Sequence, residues 1–299
     1  MGISKLTSTL TTIIVFAFFT QITNAQDTII TKRAGGYKLK PVVDVPVVVG
    51  CAAWCGFTLT QIYTKGPSTE QQILDLNVND INPLDRGFVR PYNHSEDRMS
   101  YYPFYASFPL PLAFMLTSKG MRHDYWKLCF LYMESMAMTG LLGSSATYFV
   151  NQYRPYAYSS STSMDQRMIQ NAKNSFYAGH VEIVATSTFF MAEVYAGYYP
   201  QSKVKWLFFG LATAATAGMG YLRIDAGMHF PSDVLLGAFT GMLSGILVPY
   251  FHNHRIIRTT NLTIMPFGNS AAQGLSMTYT FNKQTKFILC RKNSTISKN

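Results

Sequence analysis

The segment Arg223-Ile-Asp-Ala-Gly-Met-His229-Phe-Pro-Ser-Asp233 sets a guanidinium, an imidazole and a carboxylate in the pattern Arg-x5-His-x3-Asp. Pro231 and Ser232 stand where a helix begins, because proline suits the first helical turn. His229 and Asp233 then fall one turn apart on the same face. A carboxylate so placed can hold one imidazole nitrogen and leave the other free as a nucleophile. Arg223 supplies permanent positive charge for an anion, and the amino end of the helix adds oriented N–H groups for phosphate oxygens. The same spacing also describes a merely structural pair at a helix start.

Two further clusters narrow the chemistry. Asn174-Ser175-Phe176-Tyr177-Ala178-Gly179-His180 brings a second imidazole to the start of an apolar run, and Arg154-Pro155 closes the run before it. A second histidine and a second arginine therefore arrive at helix ends on one side of a bundle, and three such clusters make a pocket.

Across roughly residues 125 to 250 these segments resemble the type 2 phosphatidic acid phosphatase and vanadium haloperoxidase superfamily. Its motifs read Lys-x6-Arg-Pro, Pro-Ser-Gly-His and Ser-Arg-x5-His-x3-Asp in that order, the third being the most specific. The resemblance implies His229 as the nucleophile that forms a phosphohistidine and Asp233 as its orienting partner. It implies His180 as the acid that protonates the leaving oxygen, and Arg154, Arg223 and the Gly179 amide as the phosphate clamp. No metal or cofactor is implied. A transferring phosphoryl group spreads negative charge over its oxygens, so two guanidinium forks and helix amino ends can stabilise it. Imidazoles titrate near neutral pH in both roles. The chain departs from the motifs at Thr147, where the pattern has Lys, and at Ala178 and Leu222, where it has Ser. Losing a charge-assisted donor in a dry site costs about 2–4 kcal/mol of transition-state stabilisation. The Thr147 hydroxyl and Lys173 are the available replacements.

The elements that must position these groups are apolar runs of helical length at about Val47 to Tyr63, Phe104 to Ser118, Tyr125 to Val150, His180 to Tyr199, Val204 to Tyr221 and Ser232 to Phe251. They predict an all-α bundle of about six helices. Thr64 to Pro103 is polar and broken by Gly66-Pro67, Asn82-Pro83 and Arg90-Pro91, which predicts loops with one short helix. Near the end, Leu275, Met277, Tyr279 and Phe281 alternate with polar residues and predict a short β-hairpin with Leu262 to Phe267. The expected division is a signal peptide at 1–25, an N-terminal segment at 26–46, the helical domain at 47–255 and the hairpin and tail at 256–299. The leader follows from Lys5, the apolar run Ile13 to Phe19 and the small residues ending at Ala25.

With 299 residues, 48% hydrophobic and 13% charged, the chain is long enough for one large core and too apolar for disorder. Its net charge of +10 is scattered, which favours an anionic ligand or membrane surface and excludes a nucleic-acid stripe. Cysteines 51, 55, 129 and 290 lack zinc spacing and read as free thiols.

Several features have bland readings. Arg90-Pro91-Tyr92 imitates Arg154-Pro155-Tyr156 but reads as a loop, and His252 and His254 beside Arg255 and Arg258 read as a basic surface collar that lacks further metal ligands. Glu134, Glu182 and Glu193 read as hydrogen-bonding groups inside the bundle. Tyr153, Tyr156, Tyr158, Phe176 and Tyr177 either line a lipid entrance or belong to the core.

If all six runs span a membrane, Lys119, Arg122, Lys127, Lys203, Lys205, Arg255 and Arg258 lie on the face opposite the site, which is then cytoplasmic. Lys32, Arg33, Lys38 and Lys40 then belong inside too, whereas a cleaved signal peptide leaves them outside. Either the first run does not span, or the leader is misread, or the bundle is exported whole and touches a membrane. Acidic residues inside the helices and a mean hydropathy of +0.07 favour the last.

The resulting expectation is an envelope-located bacterial hydrolase of a phosphomonoester or pyrophosphate ester, with phosphatidic acid or an isoprenyl pyrophosphate as lipid examples. Still open are an inactive member that binds phosphorylated lipid or acts as a scaffold, a vanadium-dependent haloperoxidase, a non-specific acid phosphatase and a multi-span protein without chemistry.

Overall fold

A computed structural model describes residues 35–253 and, for the backbone alone, 262–268 and 273–279. The expected signal peptide, His254, Arg255, Arg258 and Cys290 lie outside the described residues. The chain divides after His254 into two compact units. Among its described residues the regular elements of the first are helices: α1 Pro41–Tyr63, α2 Glu70–Leu74, α3 His94–Ser107, α4 Pro109–Met115, α5 Lys119–His123, α6 Tyr125–Phe149, α7 Met164–Met168, α8 Gly179–Tyr198, α9 Val204–Asp225 and α10 Pro231–Asn253. In the second unit, β1 Leu262–Gly268 pairs antiparallel with β2 Gln273–Tyr279, with Leu262 opposite Tyr279. Cys51, Cys55 and Cys129 are free.

The all-α expectation is borne out, and five of the six predicted runs correspond to single long helices. The exception lies around residue 100. Part of the stretch read as loops is α3, which starts ten residues before the predicted run and ends at Ser107, with Pro109 opening α4. Its signal is a cap rather than a hydrophobic period: the Asn93 side chain accepts from Ser95 N–H at 3.1 Å and Glu96 N–H at 3.4 Å, and Glu96 and Asp97 lie in the first turn. Acidic residues there complement the helix dipole.

Helix α8 is the axis of the bundle. It is apolar nearly all round, and most of its length is buried, as a centrally packed helix requires. Helix α10 packs along it through Gly237, Gly241 and Gly245, spaced four apart on one face. A Cβ at 237 would lie 2.7 Å from the Ala178 carbonyl oxygen, one at 245 would lie 2.5 Å from the Thr186 oxygen, and one at 241 would overlap the Glu182 oxygen. These glycines let two backbones meet directly. Hydroxyl pairs join other neighbours: Thr139 meets Thr186 at 2.7 Å between α6 and α8, and Thr58 meets Ser144 at 2.7 Å between α1 and α6.

Among the described residues three helices, α1, α9 and α10, are long and apolar enough to cross a membrane. Their outer faces expose large apolar side chains, including Val42, Val49, Trp206, Leu211, Leu235 and Phe239.

Gly241→Leu should drive α10 away from α8 and lower stability by at least about 1–3 kcal/mol, the usual cost of overpacking. Gly210→Ala, on an exposed face of α9 with nothing within 4 Å of the added methyl, should be neutral or slightly stabilising. Thermal unfolding of both variants in detergent checks the contrast.

Candidate active site

The loop joining α9 to α10 carries His229. Gly227 turns it with φ of +70°, and a Cβ there would lie 2.7 Å from the Pro91 carbonyl oxygen. The neighbouring Arg90 pairs with Asp225 at 2.6 Å, and Asn93 N–H donates to the Ala226 carbonyl at 3.2 Å. Arg90-Pro91, an idle imitation by its sequence, is thus the buttress against which the histidine loop is folded.

His229 is 3% exposed. Its Nδ1 lies 2.7 Å from the Ser175 carbonyl oxygen, which assigns the ring proton to Nδ1. Nε2 keeps its lone pair and faces Arg154 Nη1 at 3.2 Å. Asp233 does not bond the ring directly, for its nearest oxygen is 3.9 Å from Nδ1. That carboxylate instead accepts from Ser175 Oγ at 2.6 Å, from Phe230 N–H at 3.1 Å and from Gln152 Nε2 at 3.4 Å. Ser175 therefore stands between the two, its hydroxyl held by Asp233 while its carbonyl holds His229. Sequence reasoning had no role for this serine.

Arg154 stands five residues beyond Phe149, the last residue of α6, at the start of a 3-10 turn, and does not close the helix as expected. It rests on carbonyl oxygens: Nε donates to Asn171 O at 2.9 Å, Nη1 to Met228 O at 2.9 Å and Nη2 to Asn171 Oδ1 at 3.2 Å. Burial, then the neighbouring Arg223, lowers its pKa to about 10, which leaves it cationic at neutral pH. Arg223, 1% exposed, donates from Nη1 to Asp97 Oδ1 at 2.6 Å and to Ser100 Oγ at 2.9 Å. Asp97 also accepts from the Tyr92 hydroxyl at 2.8 Å. Asp97 and Ser100 belong to α3, and nothing in the sequence ties them to a residue more than 120 positions later.

His180 opens α8 against Phe104 and Tyr101, with ring centroids 4.3 and 5.1 Å away. Its Nε2 and the Nε of Arg223 are buried without a hydrogen-bond partner. Beside it, Gly179 faces open space. Burial, with Arg154 and Arg223 next in effect, holds the His229 pKa well below that of a free imidazole.

At the departed motif positions, the Thr147 hydroxyl donates back to Gly143 O at 3.0 Å, while Ala178 is buried and Leu222 half-buried on α9. A different cation stands nearby. Lys65 Nζ donates to Thr147 O at 3.0 Å and to Asn174 Oδ1 at 3.2 Å. Burial and the neighbouring Lys173 lower its pKa. Lys65, Asn151, Tyr153 and Lys173 line a cleft of about 420 Å³. Lys173 itself donates to Gly66 O at 3.3 Å and Pro67 O at 3.4 Å. Tyr156 and Tyr177 are core residues, and the Tyr177 hydroxyl donates to Glu182 at 2.7 Å.

Residues 128–257 match the PAP2 superfamily. This stretch holds both histidines, both arginines, Ser175 and Asp233. Among solved structures, Aquifex aeolicus LpxE matches at 23% identity and a TM-score of 0.40, covering 59% of this chain and 100% of that one. A transmembrane PAP2-type phosphatidylglycerolphosphate phosphatase from Bacillus subtilis matches at 17% identity and a TM-score of 0.40, covering 71% and 98%. No curated protein matches the chain.

Two outcomes follow from this geometry. Asp97→Ala should leave the buried Arg223 charge uncompensated and destabilise the fold by about 3–5 kcal/mol, measured by chemical denaturation. The depressed His229 pKa means that below about pH 6.5 the unfolded chain binds a proton the native one does not. Stability should then fall with pH by up to about 1.4 kcal/mol per unit. In phosphate-free buffer, the loss between pH 7 and 5 should be smaller in His229→Gln than in the unsubstituted protein.

Proposed function

We propose that the chain is a phosphoester hydrolase that cleaves a phosphomonoester or pyrophosphate ester of a lipid through a phosphohistidine. The observation that carries this reading is the free Nε2 lone pair of a buried, tautomer-locked His229 against a guanidinium. The partnerless Arg223 Nε supports it, because a buried donor of this kind calls for an acceptor-rich ligand, and His180 Nε2 is a second buried nitrogen there without a partner.

Attack of His229 Nε2 on phosphorus forms the N–P bond as the bond to the leaving oxygen breaks. The ring becomes cationic, and the Ser175 carbonyl at Nδ1, with the Asp233 carboxylate behind it, stabilises that charge. His180 gives its proton to the leaving oxygen, then takes one from the water that displaces His229 and releases inorganic phosphate. Burial, then Arg223 and Arg154, disfavours an imidazolium at position 180, and an anionic substrate offsets the part due to the two guanidinium groups. Arg154 and Arg223 hold the equatorial oxygens together with the Gly179 amide. Lys65 supplies the cation that Thr147 does not.

Three apolar helices and the exposed Tyr102 and Tyr105 beside Tyr101 on α3 fit a substrate presented at a membrane surface. Lys119 and Arg122 on α5, just ahead of α6, and Lys203 and Lys205 at the start of α9 precede the helices whose far ends lead to the site, which supports a site facing away from the cytoplasm in a bacterial envelope. The leader at 1–25, the helical domain at 47–255 and the tail at 256–299 form part of the same proposal.

The second reading, a non-catalytic phosphate binder, is favoured by one observation: the Thr147 hydroxyl is spent on its own helix. Phosphate release from p-nitrophenyl phosphate, phosphatidic acid and an isoprenyl pyrophosphate decides between the two. The purified chain should turn over at least one lipid substrate, and His229→Ala should abolish it. Lys65→Met should lower kcat/KM by roughly 100-fold, the scale of losing one transition-state donor. Phosphate binding without release on any substrate would establish the binder instead.

A further inference from the structure

At the opposite end of α10 from Asp233, roughly 28 Å away along the helix, three titratable side chains meet outside the site described above. His252 near the end of α10, Asp44 in the first turn of α1 and Glu134 in α6 place one ligand atom each within 4.8 Å of one another. His252 Nε2 is 3.5 Å from Asp44 Oδ2 and 3.5 Å from Glu134 Oε2. His252 is therefore not part of a surface collar.

Three features distinguish this cluster from an ordinary ion pair. First, His252 Nδ1 lies 2.8 Å from the Val248 carbonyl oxygen, which places the ring proton there and turns the Nε2 lone pair toward both carboxylates. A backbone carbonyl holding the far ring nitrogen is the usual support of a metal-bound imidazole. Second, Glu134 is 8% exposed, and its Oε2, the atom aimed at His252, has no hydrogen-bond partner. A buried carboxylate oxygen facing a lone pair is repelled unless something positive lies between them. Third, both N···O separations are longer than the 2.7–3.2 Å of a good hydrogen bond. Arms of about 2.1 Å to a tetrahedral ion put neighbouring ligand atoms about 3.4 Å apart, which is close to what is seen.

We propose that Asp44, Glu134 and His252 bind a first-row divalent transition ion, with zinc the best match to one imidazole and two carboxylates. The ion's two positive charges balance the two carboxylates, so the cluster becomes neutral inside an apolar bundle. Lys40 N–H already donates to Asp44 Oδ2 at 2.5 Å, and Lys38 N–H donates to the His252 carbonyl at 3.0 Å. The chain entering α1 is thereby laid across the end of α10. An ion there would clip α1 to α6 and α10 and leave further coordination positions for water. Its role is structural, because the phosphate-handling residues lie at the other end of α10.

The test uses the full chain, purified in detergent and stripped with a chelator, titrated with zinc chloride by calorimetry. One zinc per chain should bind and raise the thermal midpoint. Glu134→Gln and His252→Ala should each weaken binding by more than the roughly 10- to 100-fold that losing an outer hydrogen-bond partner of a ligand costs. His229→Ala should leave zinc binding unchanged. Cobalt(II) read on the unsubstituted protein covers the case in which a variant fails to fold, and it should show the intense visible bands of a four-coordinate site. Failure of the unsubstituted chain to take up one equivalent, a cobalt spectrum no different from the aqueous ion, or folded variants that bind as well as the parent would each overturn the proposal. So would a His252 ring signal that titrates unchanged in excess zinc, which would identify the positive charge as a proton.

Discussion

The direct approach of α10 to α8 is the constraint on which the remaining geometry depends. Gly237, Gly241 and Gly245 remove the side chains that would hold the two helices apart, and backbone carbonyls of α8 fill the space. Ala178 N–H even donates to the Asp233 carbonyl at 3.3 Å, tying the starts of the two helices together. His180 begins one helix and Asp233 the other, so the helix-to-helix distance sets the spacing of the site. Larger residues at those three positions would widen the pocket before they touched any reacting group.

Burial of charge shapes the site next. Arg223 and Arg154 are both withdrawn from water but are compensated differently. Arg223 has Asp97 as a charged partner, whereas Arg154 has only carbonyl oxygens. Carbonyl dipoles satisfy the N–H groups of Arg154 without cancelling its charge. That residual charge lies 3.2 Å from Nε2 of His229. The same charge keeps the imidazole neutral and its lone pair available.

The two ends of the bundle use their polar groups in different ways. Around His229 most donors and acceptors are fixed by another group of the chain, and two of the groups left over, Arg223 Nε and His180 Nε2, point to a ligand. Around His252 the orphan is an acceptor, Glu134 Oε2, in company with a second carboxylate. An anion suits the first end and a cation the second, with the length of α10 separating them.

Much of this was legible along the chain. Apolar runs delimit α6, α8, α9 and α10, with Gly179 and Pro231 marking two of their starts, because apolar patterning and helix-start residues are local properties. The Arg-x5-His-x3-Asp spacing identifies the residues able to do phosphoryl chemistry for the same reason. Helix α3 was hidden because its first turns are polar and its signal is a cap. The role of Ser175 was hidden because a backbone carbonyl carries no sequence signature. Asp97 beneath Arg223, Lys65 beside Thr147 and Arg90-Pro91 beneath Gly227 are contacts between distant segments, and no spacing rule reaches across them. The sequence by itself determined the five long helices and which groups could react. Tertiary structure alone decided which partner holds each group, because hydrogen bonds and charge compensation depend on distance in space rather than on distance along the chain.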